Sequence, residues 1–147
     1  MTAAIRTLNI LLVEDDAGDE VIIREAFGDN ETLSFLHVAR DGQEGLDFLY
    51  REGAHSAVPR PDLVLLDLNL PKYDGRQLLQ RIKSDPDLCD IPVVVLTTSS
   101  AEADVLRSYQ LHANAYVTKP VDLDSFVVTV GRIGDFFTRV ARLPIGQ

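Results

Sequence analysis

The chain has 147 residues, 46% hydrophobic and 25% charged, with a formal net charge of −9. A single domain of that length buries roughly 68–70% of the surface its unfolded chain exposes, so it holds a core without disulfides or a structural metal. The acidic balance argues against direct nucleic-acid binding, which needs a basic footprint, and against docking on anionic membranes. No apolar run approaches the ~18–20 residues that span a bilayer. The first one, Ile10 to Val13, stops at three acids, so no signal peptide is expected and the address is cytoplasmic. The single cysteine, Cys89, has no partner in the chain and lies between Asp87 and Asp90, where thiolate formation is disfavoured; it reads as inert.

In chain order, the first strand is Leu8–Val13, ending in Glu14-Asp15-Asp16, and a helix over Ala17–Phe27 carries Val21, Ile22, Ala26 and Phe27 near one stripe. A strand over Leu33–Ala39 precedes a helix over Gln43–Tyr50 with Leu46, Leu49 and Tyr50. The stretch Arg51 to Pro61, with Gly53, Pro59 and Pro61, reads as an exposed loop. A strand over Leu63–Leu66 ends in Asp67, followed by Leu68-Asn69-Leu70-Pro71. The helix over Gly75–Ile82, N-capped by Asp74, carries Leu78, Leu79 and Ile82. The strand Ile91–Leu96 ends in Thr97-Thr98-Ser99, and a helix over Ala101–Leu111 carries Val105, Leu106 and Tyr109. The last strand, Ala115–Val117, ends in Thr118-Lys119-Pro120. The last helix, Leu123–Leu143, is N-capped by Asp122 and carries Phe126, Val130, Ile133, Phe137 and Val140 on one face.

The strands are short apolar runs without alternation, the pattern of strands buried on both faces. Five β-α units with right-handed crossovers predict an α/β fold, a flavodoxin-like (βα)5 doubly wound sandwich. Its five-stranded parallel sheet has the order 2-1-3-4-5. Ligands of such sheets bind outside the carboxyl ends of the strands. There, acids from the first and third strands converge with a hydroxyl from the fourth and an ammonium from the fifth. Taken singly, each of these has a plainer reading as a helix-terminal acid, a turn residue or a cap. Together they make a constellation, and carboxylates this close repel one another unless a hard cation such as Mg²⁺ or Mn²⁺ sits among them.

Four segments carry a family resemblance: Leu12-Val13-Glu14-Asp15-Asp16, Leu65-Leu66-Asp67-Leu68-Asn69-Leu70-Pro71, Val95-Leu96-Thr97 and Tyr116-Val117-Thr118-Lys119-Pro120. Over roughly residues 8 to 140 the chain resembles the receiver domains of two-component response regulators. The resemblance implies that Asp67 is the phosphoacceptor, and that Asp15, Asp67 and the backbone carbonyl of Asn69 bind Mg²⁺, with Glu14 acting through water. It implies further that Thr97 and Lys119 contact the phosphoryl oxygens, that Tyr116 is a rotamer switch, and that the Lys119–Pro120 bond is cis. Pro59-Arg60-Pro61-Asp62-Leu63, the run from Leu68 to Arg76 and the run from Ser108 to Asn114 are similar to stand-alone regulators partnered with phytochrome-type histidine kinases. Receivers commonly have Gly where His112 stands, so His112 is expected to cap the fourth helix in a left-handed conformation. His37 and His55 have no metal-ligand spacing.

On this reading residues 1–147 form one receiver domain without an output domain. The chain is not an enzyme but a regulator that takes its phosphoryl group from a sensor histidine kinase, expected to be a phytochrome. A stand-alone receiver of another kinase, acting as a phosphorelay intermediate or chemotaxis-type regulator, is the alternative. A haloacid dehalogenase-like phosphohydrolase needs an Asp two residues after its nucleophile, where Asn69 stands. A nucleotide- or flavin-binding module needs a glycine loop where Glu14-Asp15-Asp16 stands. A phosphorylation-incompetent scaffold would not need the full set of Asp15, Asp67, Thr97 and Lys119. A homodimer through the fourth helix, fifth strand and fifth helix is also expected. Val127, Val128 and Phe136 lie off the core stripe of the last helix, and Leu143 and Ile145 extend beyond it.

Overall fold

A computed structural model describes residues 7–28 and 33–144; Ile145 lies outside them. The elements alternate as the apolar runs predict: β1 (Thr7–Val13), α1 (Ala17–Gly28), β2 (Leu33–Ala39), α2 (Gly42–Tyr50), β3 (Leu63–Leu66), α3 (Gly75–Ser84), β4 (Val93–Thr97), α4 (Glu102–Gln110), β5 (Ala115–Thr118) and α5 (Leu123–Asp135). A π-helical turn over Phe136–Val140 continues α5, and a single 3-10 turn, Gly53–His55, interrupts the loop before β3. The strands are parallel in the order β2-β1-β3-β4-β5. Among the described residues no helix is long and apolar enough to cross a membrane.

Successive strand residues point to opposite faces, so one sheet feeds two cores. Leu8, Ile10 and Leu12 of β1, with Leu63, Leu65, Val94 and Leu96, meet Ile23 and Phe27 of α1 and Phe126 and Val130 of α5. Leu11, Val13, Val64, Leu66, Val93 and Val95 meet Phe48 and Leu49 of α2 and Leu78, Leu79 and Ile82 of α3. Burial on both faces holds for β3 and β4. It fails at the edges, where Phe35 of β2 is 46% exposed and no residue of β5 is fully buried.

The helix stripes needed correction in three places. In α1 Phe27, Ile22 and Ala26 pack on the core as expected, joined by the fully buried Ile23, while Val21 turns out to 57% exposure. In α4 the predicted trio straddles two faces: Ser108, three residues after Val105, is buried, while Leu106 and Tyr109 are exposed. In α5 the helix ends at Val140 rather than Leu143, and its last turn is π, with Ala141 N–H donating to Phe136 O at 2.7 Å. That wider turn shifts the phase, so Thr138 is buried and Val140 points outward, while Leu143 still packs on the core from beyond the helix. Strand β4 starts at Val93 rather than Ile91 because Pro92 has no N–H for the ladder. The Lys119–Pro120 bond is trans, not cis, the isomer that X–Pro bonds favour by about 0.5–1 kcal/mol. The caps follow the sequence reading: Asp74 and Asp122 accept helix N–H groups, and His112 closes α4 at φ 69°.

The register sets the chemistry. Val13 pairs with Leu66, so the next residues, Glu14 and Asp67, lie side by side, and Asp67 N–H donates to Val13 O at 3.1 Å. Thr97 pairs with Thr118, and Lys119 N–H donates to Thr97 O at 2.7 Å. The start of α3 presses against the backbone that carries Asp67. A Cβ on Gly75 would lie 2.2 Å from Asp67 O and 2.6 Å from Leu68 Cα, so no other side chain fits there without moving the acidic loop. Gly75→Ala is therefore expected to lower stability by about 1–3 kcal/mol. Urea unfolding should show this as a lower midpoint with an unchanged slope.

Candidate functional site

Four buried polar side chains gather beyond the carboxyl edge of the sheet: Glu14, Asp67, Thr97 and Lys119, none more than 7% exposed. Buried polar groups are tolerated when they are paired, and here each is. Asp67 Oδ1 accepts from Thr97 Oγ1 at 2.8 Å and from the Asn69 N–H at 3.1 Å, while Oδ2 accepts from Lys119 Nζ at 3.1 Å. Lys119 Nζ also donates to Glu14 Oε2 at 2.5 Å and to Asp19 Oδ2 at 2.8 Å. The other oxygen of Glu14 accepts from Asp16 N–H at 3.2 Å.

Asp15 faces solvent, yet one carboxylate oxygen from each of Glu14, Asp15 and Asp67 lies within 4.8 Å of the others. Four acids gather here, Glu14, Asp19 and Asp67 on the one ammonium and Asp15 beside them, so the donor set is all oxygen and its charge is negative. That set fits a hard divalent cation, Mg²⁺ or Mn²⁺, better than a soft metal. The imbalance also moves proton affinities. Burial pushes the Glu14 carboxyl up to about 7, assisted by Asp67, although Lys119 pulls it down. Burial pulls the Lys119 ammonium down, but Asp19, Glu14 and Asp67 together outweigh burial and hold it well above the usual lysine range.

Every site residue expected from sequence except Tyr116 lies in this cluster. Tyr116 stands on β5, half-buried, and its hydroxyl donates to the backbone carbonyl of Ser99 at 2.7 Å. That contact joins a network the sequence reading missed. Arg76 at the start of α3 binds both carboxylate oxygens of Asp104 on α4, Nε at 3.0 Å and Nη2 at 2.9 Å, and its Nη1 reaches Asp74 at 3.1 Å. Ser99 Oγ donates to Asp104 at 2.6 Å, and Arg76 and Ser99 hold the Asp104 carboxyl below the usual range. The loop after β4 is thus tied both to the helix that follows Asp67 and to Tyr116. Asp19 was also missed. An acid in the first turn of a helix is ordinarily explained by the helix dipole, and nothing local shows that it reaches Lys119, a hundred residues on.

A family model described as the response regulator receiver domain matches residues 10–130. The chain is 46% identical over 135 residues to response regulator Rcp1 of Synechocystis sp., covering 92% of each chain. The solved Mn²⁺-bound form of Rcp1 superposes with a TM-score of 0.92 at 45% identity, over 94% of this chain and 99% of that one. The phosphorylated cyanobacterial phytochrome response regulator RcpA superposes with a TM-score of 0.91 at 45% identity, over 95% and 99% of the two chains.

The raised Glu14 carboxyl has a consequence for stability without a divalent cation. Below pH 4.5, its ordinary value, the side chain is protonated whether folded or not. Between 4.5 and about 7 the unfolded chain has released that proton while the folded chain still holds it, so stability falls as pH rises. The fall is at most about 1.4 kcal/mol per pH unit. Glu14→Gln should remove this contribution. Urea midpoints in chelator across that window should decline more steeply for wild type than for the variant.

Proposed function

The chain belongs to the response regulator receiver domain family, and we propose that it is a phosphorylation switch in which Asp67 accepts a phosphoryl group from the phosphohistidine of a sensor kinase. The observation that carries this reading is the convergence of Lys119 Nζ, Thr97 Oγ1 and Asn69 N–H on one buried carboxylate with Glu14 and Asp15 beside it.

An Asp67 oxygen attacks phosphorus, a P–O bond forms as the P–N bond breaks, and the imidazole leaves neutral with a proton from solvent. The product is an acyl phosphate. Lys119 neutralises charge on the transferring group. Thr97, which spends its hydroxyl on Asp67, has a phosphoryl oxygen as its new acceptor. Asp15, Asp67 and the Asn69 carbonyl would hold Mg²⁺, with Glu14 acting through water. Bound there, the cation supplies further neutralisation of the phosphoryl oxygens. The product brings a charge of about −1.5 to −2, as phosphorylated side chains do. That charge draws Thr97 and the loop through Ser99 toward the site, which takes away the acceptor of Tyr116 and frees its ring to turn inward.

Similarity to RcpA, a phytochrome response regulator, supports a phytochrome as the kinase. Output is through protein contact, with a homodimer through α4, β5 and α5 as the form we favour. Leu106 and Tyr109 on α4 and Val127, Val128 and Phe136 along α5 are each about half exposed or more, an apolar surface that the core does not use.

Two experiments test this. Incubated with a phytochrome-type kinase, ATP and Mg²⁺, wild type should gain one phosphoryl group. Asp67→Asn should gain none, and Asp15→Ala or chelator should suppress labelling; undiminished labelling of Asp67→Asn would remove the assignment. Light scattering at micromolar concentration, with and without phosphorylation, should give a dimer for wild type in at least one state and a monomer for Phe136→Glu. A dimer that survives Phe136→Glu moves the interface elsewhere.

A further inference from the structure

The three hydrogens of the Lys119 ammonium are all taken, by Glu14, Asp19 and Asp67. Under the reading above, the phosphoryl group on Asp67 needs one of them, so a partner has to let go. The three are not equivalent. The Glu14 side chain is 2% exposed and that of Asp67 9%, whereas Asp19 is 24% exposed. Releasing Glu14 would strand a buried carboxylate, which is costly. Asp67 keeps its charge, and its hold on the ammonium, until one of its own oxygens has bonded phosphorus, so it frees no hydrogen for a donor still approaching. Asp19 alone has water to turn to, and it sits in the first turn of α1, where the helix N-terminus also favours its charge.

A second observation concerns the space beside Lys119. A cavity of about 380 Å³ beside Lys119 is lined by Asp16, Asp19, Thr98, Pro120, Val121 and Phe126. An anion in it meets two carboxylates and one ammonium. Asp16 is committed to the helix end, its Oδ1 accepting from Asp19 N–H at 3.0 Å.

We propose that Asp19 is a positioning residue that acts through Lys119. It holds the ammonium aimed while Asp67 is free, and it competes with phosphoryl oxygens for that ammonium as the donor arrives. The proposal rests on Asp67 being the phosphoacceptor. On it, the negative charge of Asp19 slows phosphorylation, and slows it most for the most negatively charged donor, because the donor and Asp19 repel each other near the same cation.

The test compares wild type, Asp19→Asn and Asp19→Glu as full chains at saturating Mg²⁺, with acetyl phosphate and with the less negative phosphoramidate. Asp19→Asn should be labelled by acetyl phosphate on the order of three- to tenfold faster than wild type. Its gain with phosphoramidate should be smaller, and both gains should shrink in high salt. Asp19→Glu should return the rates toward wild type. A purely structural role for Asp19 would change both donors alike and leave no salt dependence. Equal or slower labelling of Asp19→Asn by acetyl phosphate, with wild type labelled normally, overturns the proposal and leaves Asp67 as the acceptor. Wild type that takes no phosphoryl group from either donor or a kinase overturns both.

Discussion

The position of the Lys119 ammonium depends on the sheet order. Lys119 follows β5, while the carboxylates it binds follow β1 and β3 or lie in α1, and β4 stands between. Only a long, flexible side chain reaches across the end of β4 with its charge intact, which a four-carbon stem allows. Because the ammonium is buried, losing it would leave Glu14 and Asp67 uncompensated, and breaking one side of a buried pair costs roughly 3–5 kcal/mol. The same contact therefore holds four segments of the chain together and keeps the acids of the site from forcing one another apart. A cluster with more acid than base remains unsatisfied even so, and that residual charge is what makes it receptive to a divalent cation.

Most of the architecture could be read from where apolar runs stop. Interior strands are apolar on both faces where they cross the core, so the apolar runs in β1, β3 and β4 end abruptly, and the polar residues that stop them are Glu14, Asp67 and Thr97. The strand signal and the site signal are one signal, which is why both were legible. Helix faces were less so. In α4 the sheet-facing position is Ser108, a polar residue that no hydrophobic pattern counts, and in α5 a π turn changes the period itself. The pairing of Arg76 with Asp104 spans 28 residues and that of Lys119 with Asp19 spans 100. Contacts of that range leave no local trace in composition or spacing. The cis bond expected before Pro120 came from family resemblance alone, and no residue of this chain spoke for it beyond the proline.

Exposed acids and exposed apolar side chains both mark the surface near the site. Around the carboxyl edge the acids Asp15 and Asp16 are exposed beside the apolar Val121 and Leu123. On α4 and α5 the exposed groups include large apolar ones, with Leu106, Tyr109 and Phe136 all turned away from the core. The bidentate Arg76–Asp104 pair lies between these regions, on the path from the acidic loop to the apolar helices. Its planar fork fixes orientation as well as distance, which a lysine in the same place would not do.

The acceptor for the Tyr116 hydroxyl is a main-chain oxygen. Every residue type carries that oxygen, so no substitution at position 99 deletes the acceptor, although any change in the path of the loop displaces it. The donor, by contrast, is a side-chain hydroxyl, so the link needs a tyrosine at position 116 but no particular residue type to supply the acceptor at position 99. The partner of the tyrosine is the course of the backbone and not an amino-acid identity. The strength of the link is set by whatever shapes that course, which in this chain includes the side chains of Ser99, Asp104 and Arg76.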